Sequence, residues 1–151
     1  MHDSEEAEIL EQVRQLMHDH GFAVVAVGGG EHGPPWSYTV GLHSAGLPEL
    51  VIVGGLSSEG QHSTLSMLAE RLLAGESLRV GARDPSVIEA FEVTYIEVAD
   101  TTTEDFAVAL RLQSGFRAVQ VVWPDTDNRF PWEQGYGFSL VEQRLLGLPP
   151  A

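Results

Sequence analysis

The stretch from Trp36 to Leu56, WSYTVGLHSAGLPELVIVGGL, constrains the fold more than any other. Its first part alternates, with Tyr38, Val40 and Leu42 on one side and Ser37, Thr39 and Gly41 on the other. A period of two marks a strand with one face buried. Ser44, Ala45 and Gly46 supply turn chemistry, and Pro48, with no N–H to give a ladder, opens the next strand. Leu50–Val53 reads LVIV, apolar on both sides, so this strand belongs in mid-sheet with cover above and below. Gly54 and Gly55 end it. Ser58 and Gln61 then show capping-box spacing and start a helix running to about Leu73, with Leu65, Leu68, Leu72 and Leu73 inward and Gly75 as the stop.

Around this centre the other elements fall in order. Residues 4–19 predict a helix, since Asp3 and Glu6 have capping-box spacing and Ile9, Val13, Leu16 and Met17 form an apolar stripe ended by Gly21. His18 and His20 suit the helix C-terminus, and residues two apart share no helical face, so they make a poor metal pair. Strands are expected at Phe22–Val27, Leu78–Val80, Phe91–Val98 and Ala118–Trp123. Thr101 and Glu104 open a helix that closes near Gly115, and Ser139 with Glu142 caps a short final helix ending at Gly147. Three consecutive strands with short links imply an antiparallel meander. The expected fold is therefore α+β, with helices packed on one face of a mainly antiparallel sheet, in a single domain over residues 1–151. A domain of this length buries roughly 68–70% of its unfolded surface without any staple.

Several function classes drop out on chemical grounds. Eight basic residues against 22 acidic ones give a net charge of −14, which repels phosphate backbones and anionic membrane surfaces. We expect no nucleic-acid partner and no membrane. All eight basic residues are Arg, so neither a Schiff-base lysine nor a P-loop ammonium is available. With no cysteine there is no thiolate nucleophile, disulfide framework or Cys-type zinc site. MHDSEEAEIL does not read as a signal peptide, and no apolar run nears the ~20 residues of a membrane span, so the expected location is cytoplasmic. Gly28, Gly30 and Gly33 match G-x-G-x-x-G, but Pro34, Pro35 and a strand follow where a dinucleotide fold needs a helix. The segment reads instead as a flexible link between antiparallel strands that binds no nucleotide. Ser57 and Ser58 narrowly miss the nucleophile elbow, because Glu59 stands where its second glycine belongs.

Several pieces in order resemble one bacterial family, that of the domain of unknown function 4262. They are His20-Gly21, Tyr38-Thr39-Val40-Gly41-Leu42, Pro48-Glu49-Leu50, Ala74-Gly75, Gln120-Val121-Val122-Trp123-Pro124-Asp125 and Phe130-Pro131-Trp132-Glu133, covering about residues 20–135. The resemblance carries no established activity. It implies a small bacterial domain in which Tyr38, Thr39, Glu49, Trp123, Asp125 and Trp132 belong to one shared feature; His43 does not match.

From the residues themselves, the stretches 36–56 and 120–133 are expected to meet in space, and the face built by residues 36–49 and 120–133 to form one site. Glu49 and Asp125 are candidates for a carboxylate pair in general acid–base work, as in a hydrolase. In the plainer reading Glu49 faces solvent at a strand end and Asp125 makes an Asx-turn after Pro124. His43, Glu49 and Asp125 have suitable ligand atoms for a metal but no diagnostic spacing, so no metal and no cofactor is expected. Trp36, Trp123 and Trp132 could line a pocket with Tyr38 and Thr39 at its wall, or simply close the core. Arg129 could hold an anionic ligand group or pair with Asp125 or Asp127. The reading favoured is a binding domain for a small molecule or protein partner at this face. An enzyme using Glu49 and Asp125 is the alternative, and a flavin-binding barrel rests on fold analogy alone.

Overall fold

A computed structural model describes residues 2–28, 34–138 and 143–150. Helix α1 spans His2–His20, with Asp3 within its first turn. Gly21 ends it in a left-handed conformation, its N–H bonded to the Met17 carbonyl. Strands β1, Ala23–Val27, β2, Trp36–Val40, and β3, Glu49–Val53, form the expected antiparallel meander, with β2 and β3 linked by a 3-10 turn over Leu42–Ala45. The glycine-rich segment therefore joins two antiparallel strands, while its residues 29–33 lie outside the described ones.

Helix α2, Ser58–Leu73, is capped by Ser57, whose hydroxyl accepts the Gly60 N–H. Gln61 is not a reciprocal cap but a buried residue. No strand forms at Leu78–Val80. The strand in this part of the chain is β4, Asp84–Ile88, an irregular edge paired with β5, Phe91–Glu97. A short 3-10 turn, Glu104–Phe106, leads into α3, Ala107–Leu112, and β6, Ala118–Val122, completes a six-stranded sheet in the order β1-β2-β3-β6-β5-β4. β6 lies parallel to β3 and antiparallel to β5. Of the expected last helix, residues 139–142 lie outside the described ones, and 143–150 contain no helix.

The α+β class and the mainly antiparallel sheet are as expected; the one-sided cover is not. Leu50 and Ile52 of β3 pack with Leu65, Leu68 and Leu72 of α2, whereas Val51 and Val53 face Val13 of α1 and Ala109 of α3. LVIV is apolar throughout because helices lie on both faces. The C-terminal residues 143–146 finish the second face. Leu145 packs beside Ile96, Val122 and Phe130, and buried Gln120 donates to the Arg144 carbonyl while accepting the Leu146 N–H.

Candidate functional site

Glu49 opens β3, fully buried, opposite Ala118 of β6. Its Oε1 accepts the Thr39 hydroxyl at 2.8 Å and the Leu42 N–H at 3.2 Å. Its Oε2 accepts the N–H groups of Gly41 at 3.1 Å and His43 at 3.0 Å, and the Gln113 amide at 2.7 Å. Thr39 in turn accepts the Leu50 N–H, so its hydroxyl joins the carboxylate to the strand it belongs to. Gly41 makes this possible: at φ +118° it turns three successive N–H groups inward, and a Cβ there would lie 2.8 Å from the Gly21 carbonyl. The carboxylate is thus held by donors of its own chain, away from solvent.

Tyr38 belongs to the second-face core. Its ring stacks on Trp36 at 5.5 Å and meets Phe106 edge-on at 5.2 Å, and its hydroxyl accepts the Val108 N–H. Burial pushes its phenol pKa up, against the pull of the Val108 and Ala109 backbone.

Trp123 and Asp125 sit at the other end of the parallel pair. Val122 is already about 13 Å of strand beyond Ala118, so Glu49 and Asp125 lie at opposite ends of the sheet. The expected convergence of the two carboxylates, and the His43–Glu49–Asp125 metal scheme with it, is overturned by the parallel register. Among the described residues no group of three or more His, Asp or Glu side chains is placed to hold a metal. The two stretches themselves do meet, since Val51 and Ile52 pair with Gln120 and Val121, and the Val53 carbonyl, opposite Trp36, accepts the Trp123 indole N–H at 2.8 Å.

Asp125 makes the Asx-turn and more. It is 2% exposed and accepts the N–H groups of Asp127, Arg129 and Gly137, with the Arg129 guanidinium at 3.4 Å. Burial alone would push its pKa up, but these backbone bonds and the Arg129 charge hold it below the usual carboxylate range. Arg129 spans Asp125 and Asp127, its plainer role. Trp132 stacks on Phe130 at 5.4 Å, and Arg83 lies over the other ring of that pair, 4.6 Å from the Phe130 centroid. Arg83 also reaches the Asn128 carbonyl and Glu133, tying the loop to the β4–β5 end of the sheet.

Beside this loop lies an apolar cavity of about 250 Å³, lined chiefly by Leu56, Ile88, Phe91, Trp123, Pro124 and Phe138, with Asp125 and Thr126 at its rim. A second hollow shares Trp123 and Phe138 with it and is bounded also by Pro34, Pro35 and Gly54. Trp123 is held at three places. Its indole is bonded to Val53, its backbone N–H and carbonyl are matched by the buried Gln143 amide, and its ring lies against Gly55. A Cβ at Gly55 would meet the ring at 2.2 Å, so only glycine admits it.

Trp123 and Asp125 are brought to one cavity, with Arg129 one contact away. Glu49, Thr39 and Tyr38 are elsewhere, and Trp132 caps a separate cluster. Sequence reasoning missed Phe138, Leu56, Ile88 and Phe91 as lining, together with the buried glutamines Gln61 and Gln143. Gln61 accepts the Ser37 hydroxyl and donates to the carbonyls of Pro35 and Gly54, fixing the loop that ends β3. Its only local signal is a polar residue on the inward stripe of α2, three before Thr64 and four before Leu65.

A family model described as Domain of unknown function (DUF4262) matches residues 16–137. No curated protein and no solved structure matches the chain.

Proposed function

The chain belongs to the DUF4262 family, and on that premise we propose that it is a binding domain for a compact, largely apolar small molecule, held in the cavity beside Trp123. The observation that carries this reading is a preformed apolar hollow whose tryptophan wall is held by its indole, its backbone and Gly55, the usual make-up of a ligand site. Its 250 Å³ falls just below the span of about 300–1,000 Å³ common for drug-sized ligands, which favours a small one. The ligand lies on Trp123 and Phe138 and turns a polar end toward Thr126. Position is compatible with this, because ligands of open α/β sheets gather at the carboxyl ends of parallel strands, and the cavity lies at that end of β3 and β6, the parallel pair of this sheet. An acid–base reaction by Glu49 and Asp125 gains nothing from the geometry, since each carboxylate is occupied by its own chain. A bacterial cytoplasmic setting belongs to the same proposal, and the cysteine-free composition permits it; recovery of the native protein from an extracellular fraction would contradict it.

The test fills the hollow. Native mass spectrometry of the purified protein, and crystal soaking with indole- and benzoate-sized fragments, should reveal occupancy against Trp123. Ile88→Trp should abolish that occupancy while leaving the melting temperature unchanged or raised. Fragments that bind equally well to Ile88→Trp, or no fragment bound at the cavity in either protein, would overturn the proposal.

A further inference from the structure

The two edges of the sheet are built differently. At one edge β4 begins with Asp84, carries Pro85 and pairs through an irregular register, while Arg71 of α2 reaches across to the hydroxyl and carbonyl of Ser86. Charge, proline and irregularity are devices that stop a further strand from pairing. β1, at the other edge, is Ala-Val-Val-Ala-Val, uncharged, without proline, and in unbroken register with β2 over all five residues.

Its free hydrogen-bonding groups follow from the register. The Gly54 N–H donates to the Pro35 carbonyl, so odd-numbered residues of β2 turn their backbone groups to β3 and even-numbered ones to β1. Through the pairs Val40–Ala23, Tyr38–Val25 and Trp36–Val27, this leaves the N–H and C=O of Val24 and Ala26 pointing outward. Among the described residues no segment pairs with that side.

A groove of about 290 Å³ lies along the start of this edge. Phe22, Ala23 and Val24 form its floor, Leu16 and His20 of α1 one wall, and His62, Ser66 and Glu70 of α2 the other. Because α1 and α2 lie on opposite faces of the sheet, the edge is recessed between them. A single extended segment fits there more readily than a second sheet with helices of its own. Charge points the same way. α1 carries six acidic residues against one arginine, and the chain has a net charge of −14, so a second copy would be repelled and a basic segment attracted.

We propose that the outer edge of β1 takes up an extended basic segment of a partner protein as a seventh strand. Main-chain bonds to Val24 and Ala26 provide the pairing, and arginine or lysine side chains of the segment reach Glu70 and the acidic α1. This is strand addition at an open edge, with alternate side chains read by the two helices.

The probe is a capped seven-residue peptide of alternating valine and arginine, titrated at physiological salt and followed by amide chemical shifts. It should bind saturably, shift the amides of Val24 and Ala26, and slow their hydrogen exchange. The valine–glutamate counterpart should not bind. N-methylation of two adjacent peptide amides blocks both peptide edges without changing charge and should abolish binding. Val24→Pro removes an outward N–H but no bond to β2, and should weaken binding roughly tenfold. Equal binding of the N-methylated peptide, or no binding of the parent at millimolar concentration, would overturn the proposal. The N-methyl comparison is made on the unaltered protein, so it decides the matter even where Val24→Pro does not fold.

Discussion

A buried carboxylate persists only where donors replace water, and Glu49 has five of them, from Thr39, Gly41, Leu42, His43 and Gln113. In Glu49→Gln one oxygen becomes an NH2 group. It must then face either the Gly41 and His43 N–H groups or the Leu42 N–H and the Thr39 hydroxyl, donor against donor. The expected loss is about 3 kcal/mol, from bonds to a charged acceptor worth about 1.5–3 kcal/mol each. In a domain of this size that lowers Tm by roughly 6–12 °C. Calorimetry of the variant checks this, and an unchanged Tm would show that the cradle contributes nothing. The sequence marks Glu49 as anomalous, because a carboxylate stands at the mouth of an apolar strand. It does not disclose the answer, since one donor comes from 64 residues away and three are backbone groups aimed by Gly41.

Among the elements, β3 with its exit loop is the piece on which the cavity depends. Gly54 and Gly55 both adopt positive φ, and Gly55 additionally lies flat against the Trp123 ring. Gly55→Ala meets both obstacles, a left-handed backbone and a Cβ inside the indole. Trp123 would have to leave its bond to the Val53 carbonyl. The expected outcome is a loss of about 2–4 kcal/mol and a red-shifted tryptophan emission as the ring gains solvent. An emission spectrum identical to that of the parent would show that the ring has room to spare. The strand itself, its flanking glycines and α2 are plain in the sequence, because period, length and stop signals agree. β4 is not, because Asp84-Pro85-Ser86 carries turn chemistry and pairs only as an irregular edge. Leu78–Val80 misled for the converse reason: three residues rich in apolar character have no partner to make a ladder. The Trp123 cavity was half legible. Its tryptophan stands out at a strand end, whereas Phe138 and Ile88 reach it through tertiary folding alone.

For the molecule as a whole, the matched region ends at residue 137, yet the fold does not. Gln143 completes both backbone groups of Trp123, and residues 144–146 satisfy Gln120 and cover Ile96 and Val122. A chain ending at residue 142 should therefore lose cooperative unfolding or aggregate, as read by calorimetry and light scattering; a sharp transition at the parent temperature would contradict this. The parallel pairing of β3 with β6 has a further consequence, for synthesis. Ala118, the partner of Glu49, emerges 69 residues later. At about 5–20 residues per second the ribosome needs roughly 3–14 s to deliver it. Throughout that interval the nascent meander presents Leu-Val-Ile-Val with one edge unpaired, a temporary template for any neighbouring chain. The acidic helix α1, already made and packed on β1, gives each growing copy negative charge, so copies on one messenger repel each other until β6 arrives to close the gap.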